Sequence, residues 1–286
     1  MLEGVMLLWF VLAALSLAFV AFDIRSTPES TVMKWGFVLL TAYTGPIGAF
    51  LYVLGCREPL PGLHERYVAV RWRQVLGSTM HCVAGDGVGI LVGAVLARHY
   101  HLEGFAEIAL EYALGFIFGW TVFQALFMRD MAGSYGRSLK KTFFPEFLSM
   151  NVLMAAMVPV AAVFARYFDA SRDPLHPEFW FRMSMALLAG FIVAFPMNWW
   201  LVARHLKHGM TTVRPAPAST SAPESTRPAA TGAHLGHSRA AGSGETAAAG
   251  MPALAVPRIA LLGMMFLSIA VFAAGLALAM WIATVP

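Results

Sequence analysis

Long apolar runs separated by short polar connections dominate the hydrophobic pattern of this chain. Seven runs approach the roughly 20 residues that a helix needs to cross the hydrocarbon core of a bilayer. They cover residues 5–22, 35–55, 75–97, 105–128, 147–165, 179–203 and 259–282. Lipid offers the backbone no hydrogen-bond partners, so runs of this kind form helices. The pattern predicts an all-α fold, a polytopic membrane helix bundle with about seven transmembrane helices.

The first apolar run resembles a secretion signal, but the residues around it favour a retained helix. The run is preceded by Glu3 and by no Lys or Arg, and no clear cleavage site follows it. A secretion signal normally begins with a positively charged region and ends at small residues. We therefore expect the first run to remain in the protein as a transmembrane helix.

Composition supports the membrane assignment and excludes several classes of protein. The chain is 58% hydrophobic and 13% charged, whereas soluble domains carry about 25% charged residues. The net charge of +4 includes no basic run with interleaved aromatic residues, so we expect the lipid bilayer, and no nucleic acid, as a partner. The two cysteines, Cys56 and Cys82, form no CxxC motif, which argues against a ribbon zinc site or attached haem.

The positive charges predict an orientation. The second, fourth and sixth connections between the apolar runs hold 14 of the 20 Lys and Arg residues, and the remaining connections hold six. Cytoplasmic connections are enriched in Lys and Arg. With seven crossings, this bias places the N-terminus in the cytoplasm and the C-terminus outside.

One long connection differs in composition from the rest. Residues 211–256 are rich in Pro, Ala, Ser, Thr and Gly and nearly lack large apolar side chains. Such a segment cannot bury enough apolar surface to fold, and we expect a disordered cytoplasmic linker. The predicted organisation is a six-helix transmembrane body over 1–210, the linker over 211–256, and a C-terminal transmembrane helix over 257–286.

The third apolar run, STMHCVAGDGVGILVGA, carries polar groups inside a predicted span. Cys82 and Asp86 are four residues apart and share one side of the helix. His81 continues into an adjacent stripe of small residues that allows close helix packing. The stripe contains Gly85, Gly89 and Gly93. A charged Asp at the centre of a span costs about 2.5–3.5 kcal/mol, so two interpretations stay open: polar packing, or a functional site within the membrane.

Other predicted spans offer partners for these groups. Glu111 lies deep in the fourth run, and Asn198 lies beside Pro196 in the sixth. In the fifth run, Pro145 and Glu146 read as a helix start, where a carboxylate suits the helix dipole. The same run contains Asn151 and the methionine stripe Met150, Met154 and Met157. A stripe of this kind more often packs a core than binds an ion.

Three stretches together resemble a bacterial integral-membrane family, the domain of unknown function DUF4396. They are MHCVAGDGVG, FPEFLSMNVLMAAMVPV and FPMNWWLVARHLKHGM, and the resemblance covers about residues 70–210. Its most specific element is His81, Cys82 and Gly85. Many family members carry a second cysteine where this chain has Asp86. The resemblance implies a multi-pass protein of the bacterial inner membrane and implies no activity.

Four functions remain compatible with the sequence. The leading hypothesis is binding or transport of a transition metal, with copper first, because Cu(I) prefers sulfur and imidazole ligands. The candidate copper ligands are Met80, His81, Cys82, Met150 and Met154. Asp86 would be an unusual ligand for Cu(I). It would suit Zn(II), for which the candidate ligands are His81, Asp86 and Glu111.

The second hypothesis is a proton-coupled transporter of a small solute, in which His81, Asp86 and Glu111 relay protons, with Glu146, Asn151 and Asn198 as further polar groups. The third is a membrane enzyme or electron carrier, for which the sequence holds no nucleophile elbow, phosphate loop or dinucleotide motif; no catalytic residues are predicted. The fourth is an assembly subunit that works as an oligomer or with a partner subunit.

Overall fold

A computed structural model describes residues 2–210, 212 and 256–284 of the chain. The predicted disordered linker, 211–256, therefore lies outside the described residues apart from Thr212 and Val256. The described residues form α-helices, short 3-10 turns and one π-helical segment, so the all-α prediction is confirmed.

The helices follow one another closely along the chain. In order they are α1 (Leu2–Asp23), α2 (Thr31–Thr44), α3 (Pro46–Gly55), α4 (His64–Val68), α5 (Arg71–His99), α6 (Phe105–Phe118), α7 (Ala125–Ala132), α8 (Tyr135–Tyr167), α9 (Pro177–Ala203) and α10 (Arg258–Thr284). The π-helical segment Gly119–Gln124 joins α6 to α7 without a break.

Among the residues that the structure describes, six helices are long and apolar enough to cross a membrane, and the chain is a multi-pass membrane protein. They are α1, α5, α6 with its continuation to Arg129, α8, α9 and α10. We call the end of the bundle that carries Asp23, Arg71, Tyr135 and Ala203 the linker end, because the connection from α9 to α10 starts there. The other end carries the turn from α5 to α6 and the turn from α8 to α9.

The second predicted span, residues 35–55, is a helical hairpin rather than one crossing helix. Gly45 has φ +55°, a conformation that glycine adopts easily, and Pro46 begins a new helix after it. Across the hairpin, the rings of Phe37 and Tyr52 lie 5.6 Å apart. The Tyr52 hydroxyl then donates to Asp23 Oδ2 at 2.8 Å, at the end of α1. Thus α2 leaves the linker end and α3 returns to it.

The hairpin changes the topology that the sequence predicted. With six crossings instead of seven, Leu2 and Thr284 lie at the same end of the bundle, opposite the linker end. The prediction of a cytoplasmic N-terminus assumed a single crossing over residues 35–55. In the structure, Leu2 and the Arg- and Lys-rich connections lie at opposite ends.

Helix α5 forms the centre of the bundle, and its glycine stripe lies against α6. A Cβ atom on Gly89 would overlap the backbone carbonyl of Leu114, and one on Gly93 would lie 2.7 Å from the Cα atom of Glu111. Gly85 faces the ring of Phe123 in the π-helical segment at a similar separation. The two backbones approach this closely only because these positions lack side chains.

The start of α8 corrects a second prediction. The helix does not begin at Pro145 but ten residues earlier, at Tyr135, where the Ser134 hydroxyl accepts a hydrogen bond from the Arg137 N–H at 3.3 Å. This N-cap satisfies the first turn. Pro145 then lies inside the helix, where a proline removes one backbone hydrogen bond. Glu146 is consequently a side chain of the helix interior, fully buried, and not one of the first turn.

The last helix, α10, covers α8 from the outside and is mostly exposed to the surroundings of the bundle. Gly275 lets its backbone approach that of Ala155, where a Cβ atom would lie 2.7 Å from the Ala155 Cα. Near the end opposite the linker end, Arg166 Nη1 donates to the Ile282 carbonyl at 2.6 Å. The helix is therefore docked at defined points and remains peripheral.

Candidate functional site

Polar side chains from α5, α8, α9 and the π-helical segment meet inside the linker half of the bundle. We call this group the polar cluster. Its members are buried: Cys82, Gln124, Glu146, Ser149, Asn198 and Lys207. Apolar helices of a membrane protein rarely bury so many polar groups without a structural or functional reason.

Lys207 occupies the centre of the polar cluster. Its Nζ atom forms an ion pair with Glu146 Oε2 at 3.0 Å and donates to Ser149 Oγ at 2.9 Å. Nζ also donates to the sulfur of Cys82. Burial by itself lowers the pKa of Lys207, but its interactions with Cys82 and Glu146 outweigh burial and raise the pKa above its ordinary value. The contacts of Lys207 therefore favour its charged form.

The remaining members surround the sulfur of Cys82. Gln124 Nε2 donates to Sγ at 3.3 Å, and the thiol lies 3.4 Å from Glu146 Oε2, which accepts from it. Asn198 Oδ1 accepts a hydrogen bond from Ser149 Oγ at 3.0 Å. The sulfur is thus held within a connected network of donors and acceptors, as buried polar groups require.

A sharp turn after α9 brings Lys207 back into the bundle. His205 has φ +57°, and the Leu206 N–H donates to the Leu201 carbonyl at 2.9 Å. This is the geometry of a Schellman cap, which ends a helix with a left-handed residue. Leu206 packs against an apolar group that includes Leu201. The cap therefore turns the residue after it, Lys207, inward.

Asp86 lies one helical turn from Cys82, beside the polar cluster. It is fully buried, and its carboxylate accepts from no donor among the described residues, but it lies close enough to the Glu146 carboxylate for the two to share a hydrogen bond when one of them is protonated. A Cβ atom on Gly119 would overlap Asp86 Oδ1 and would lie 3.0 Å from Glu146 Oε1. Two buried carboxylates therefore face the same bare stretch of backbone, and only one of them is paired with Lys207.

The π-helical segment supplies three of these contacts. Within its six residues, Gly119 faces the two carboxylates, Phe123 packs on the ring of His81 at 5.4 Å, and Gln124 reaches Cys82. One extra residue per turn lets these side chains face α5 together. π-Helical segments inside α-helices occur frequently at functional sites.

His81 lies outside the polar cluster, although it precedes Cys82 in sequence. Its ring packs between Phe123 and Phe127, whose centroids lie 5.4 and 5.0 Å away. Nε2 is buried without a hydrogen-bond partner in the part of the chain that the structure describes. Consecutive residues of a helix point about 100° apart, and this separates the imidazole from the thiol.

The structure disperses the methionines that the sequence suggested as copper ligands. Met80 packs toward α2, where its Cε atom would lie 3.3 Å from a Cβ on Gly36. Met150 points to α6, with its Cε 2.8 Å from the Cβ position of Gly115. Met154 is part of the apolar core. Met80 and Met150 thus point to different neighbouring helices.

The other predicted polar residues do not lie together in the bundle. Asn198 belongs to the polar cluster. Glu111 lies beside Gly93 toward the opposite end of the bundle, where Arg182 is close enough to act on its charge. Asn151 accepts from the Tyr112 hydroxyl at 2.7 Å and donates to Ser268 at 3.1 Å, so its hydrogen bonds join α6, α8 and α10.

A second group of chemically active side chains lies at the linker end. Glu29, Cys56 and His64 are all buried, and one ligand atom of each lies within 4.8 Å of the others. We call these three residues the hairpin cluster. Burial, together with the negative charge of Glu29, raises the pKa of the Cys56 thiol well above its ordinary value. Both cysteines of the chain are free thiols.

Sequence reasoning missed Lys207 and the hairpin cluster for different reasons. Lys207 follows the last apolar residue of its span and resembles an ordinary interfacial lysine. The hairpin cluster combines residues from two connections at no motif spacing, and only the return of α3 brings them together. The one available signal was the Gly45–Pro46 dipeptide, which is typical of a turn.

Comparison with protein families gives one match. The family model described as Domain of unknown function (DUF4396) matches residues 71–207, which confirms the resemblance found in the sequence. Comparisons with curated proteins and with solved structures give no match. The matched range runs from the first residue of α5 to Lys207 and thus spans every member of the polar cluster. Residues 71–207 of this chain are therefore similar to the DUF4396 family.

Proposed function

We propose that this protein is a proton-coupled transporter of a small solute in the bacterial inner membrane, with Asp86 as its proton-binding group. The observation that carries the proposal is the position of Asp86. A buried carboxylate that accepts from no described donor lies beside a second carboxylate, Glu146, which already has its counter-ion in Lys207. Ionisable groups in such positions mark ion and proton pathways in membrane proteins.

The balance of charge supports a mobile proton. The ammonium of Lys207 compensates one of the two carboxylates near Gly119 and leaves the other without compensation. Two carboxylates that share a site ionise one after the other and not together. Gain or loss of one proton at Asp86 therefore changes the net charge of the group that Asp86 forms with the polar cluster. Such a change is able to shift the balance between two arrangements of the helices.

Glu111 extends the proposed relay toward the opposite end of the bundle. It lies beside Gly93, seven residues beyond Asp86 along α5, which is about 10 Å at 1.5 Å per residue. This separation exceeds one hydrogen bond, so transfer between the two carboxyl groups requires water or a movement of the helices. The π-helical segment follows α6 toward the linker end, and its first residue, Gly119, faces Asp86.

The copper hypothesis has less support at this position. Cu(I) binds thiolates and thioethers, but the Cys82 sulfur here accepts hydrogen bonds from the ammonium of Lys207 and from Gln124. A positive charge in contact with the sulfur repels a metal cation. Copper at Cys82 stays a prediction, and the metal content of the purified wild-type protein beside the Cys82→Ser and His81→Ala variants tests it.

The transport proposal is tested by proton movement into liposomes that contain the purified protein. A potassium gradient with valinomycin sets the membrane potential, and an enclosed pH-sensitive dye reports proton entry. We expect wild-type protein to acidify the lumen above empty liposomes, and Asp86→Asn to reduce the rate at least about tenfold, since it removes the group that exchanges the proton.

Cys82→Ser is the matched control, because it alters the next polar side chain on the same face of α5 and leaves both carboxylates in place. We expect it to keep most of the proton flux. Equal flux in wild type and Asp86→Asn, or wild-type flux no higher than that of empty liposomes, contradicts the proposal. Loss in Cys82→Ser with retention in Asp86→Asn would favour chemistry at the thiol instead.

A further inference from the structure

We propose that Glu29, Cys56 and His64 form a binding site for a divalent transition-metal ion of the zinc type at the linker end of the bundle. The site is separate from the polar cluster and independent of the transport proposal. It lies outside the segment that the family model matches, and sequence spacing gives no sign of it.

The geometry supports three ligands from two connections. Glu29 lies before α2, Cys56 follows α3, and His64 begins α4. His64 Nε2 lies 4.0 Å from Glu29 Oε1, and one ligand atom of each of the three residues lies within 4.8 Å of the others. Zinc bonds to nitrogen, oxygen and sulfur measure about 2.0–2.3 Å, so tetrahedral ligand atoms lie about 3.5 Å apart. Side-chain rotations that move the ligand atoms by about 1 Å would bring them to this separation.

The ligand types select the class of ion. A thiolate, an imidazole and a carboxylate together match Zn(II) and its close substitutes better than Cu(I), which prefers sulfur and imidazole to carboxylate, or Mg(II), which prefers oxygen ligands. Three protein ligands leave a fourth tetrahedral position for water or another ligand.

The surroundings already orient the imidazole. His64 Nδ1 lies 2.8 Å from Thr212 Oγ1, a hydrogen bond in which the ring nitrogen donates if Nε2 is the metal ligand. A ligating histidine commonly uses its second nitrogen in this way, which fixes the tautomer and the ring plane. Nε2 also lies 3.1 Å from the Cys56 carbonyl, so metal binding replaces that contact.

The hairpin holds the ligands in place before an ion arrives. Cys56 is anchored through its N–H, which donates to the Tyr52 carbonyl at 2.9 Å, and Tyr52 in turn bonds Thr27 and Asp23 at 2.8 Å. Glu29 follows Thr27 by two residues. The two sides of the site are therefore tied together by the Tyr52 hydroxyl, and little ordering of the backbone remains to oppose binding.

Cobalt titration tests the site directly. Full-length protein in detergent is treated with a chelator, and Co(II), which occupies zinc sites, is added stepwise. Thiolate ligation to Co(II) gives a charge-transfer absorption in the near ultraviolet. We expect saturation at one Co(II) per chain, loss of the absorption when Zn(II) is added in excess, and loss in Cys56→Ser, a nearly isosteric change.

Two further variants separate ligation from folding. Cys82→Ser, the matched thiol control, keeps the absorption. Thr212→Val leaves all three ligands present and weakens the affinity about tenfold or more, the usual effect of removing an orienting partner. Wild-type protein without the charge-transfer absorption, or an absorption that disappears in Cys82→Ser and persists in Cys56→Ser, overturns the proposal. This measurement does not involve proton flux. The metal-site proposal and the transport proposal can therefore be contradicted separately.

Discussion

Lys207 and Glu146 illustrate how strongly a single buried residue depends on its partner. Both side chains are almost completely buried, and their charged atoms lie 3.0 Å apart. A buried ion pair gains little overall because both groups lose water. Removal of one partner is costly, since the other charge is then left alone in an apolar environment.

We therefore predict that Lys207→Met destabilises the protein by about 3–5 kcal/mol, the usual cost of leaving a buried charge unpaired. Thermal or denaturant unfolding of the detergent-solubilised protein measures the change. The double variant Lys207→Met with Glu146→Gln removes both charges and should recover most of the lost stability.

Lys140→Met is the control for this experiment, because Lys140 lies on the same side of the membrane but is exposed. Its replacement should change stability by less than about 0.5 kcal/mol. If the single and double variants at Lys207 and Glu146 are equally unstable, the ion pair is not the source of the effect.

The sequence predicted some residues of the polar cluster and not others, for a clear physical reason. Cys82, Glu146 and Asn198 lie inside apolar runs, where any polar group is conspicuous. Lys207 lies beyond the end of its run, and only the left-handed turn at His205 brings it inside. A turn of this kind at a residue other than glycine is not readable from the sequence alone.

At the scale of helices, the contact between α5 and α6 relies on residues without side chains. Gly89 and Gly93 allow the two backbones to touch along two turns. Such contacts maximise van der Waals attraction in lipid, where the hydrophobic effect does not drive helices together.

We predict that Gly89→Leu forces α5 and α6 apart and destabilises the fold by more than about 3 kcal/mol, at the upper end of overpacking effects. The monodisperse fraction on size-exclusion chromatography measures the loss. Gly263→Leu in α10 is the control, since no described atom lies within 4 Å of its Cβ position. A Gly89→Leu protein that folds like wild type contradicts the close contact.

Hydropathy located the apolar segments but could not determine the direction of the chain within them. The run over residues 35–55 is long enough to cross a bilayer, yet α2 and α3 fold against each other there. The difference comes from the positive φ of Gly45 and from Pro46, which together reverse the chain. A scale that sums apolar character over 20 residues does not register a reversal at the middle of the window.

For the whole molecule, six crossings and the distribution of charge favour one orientation. Of the Lys and Arg residues that the structure describes, 13 lie at the linker end and four at the other end. This bias is stronger than the one predicted for seven crossings, because Arg25 and Lys34 also belong to the linker end. From the positive-inside tendency we predict that the linker end lies in the cytoplasm.

We predict that both described ends of the chain are accessible from outside the cytoplasm. Single cysteines are introduced as Gly4→Cys, Thr284→Cys or Lys140→Cys into a chain with Cys56→Ser and Cys82→Ser. A membrane-impermeant maleimide applied to intact spheroplasts should label the first two, and the third should react only after permeabilisation. Labelling of only one of the first two positions would indicate an odd number of crossings.

The short stretch from Lys207 to Thr212 touches both clusters. Lys207 binds Glu146, and Thr212 bonds His64. Between them, Gln74 Nε2 donates to the Met210 carbonyl at 3.0 Å, which fixes the stretch to α5. Equilibrium linkage is reciprocal: whatever a ligand at one position does to affinity at a second, the second does to the first by the same factor. Any effect of an ion at the hairpin cluster on the proton affinity beside Lys207 would therefore be matched by an equal effect of that proton on the affinity for the ion.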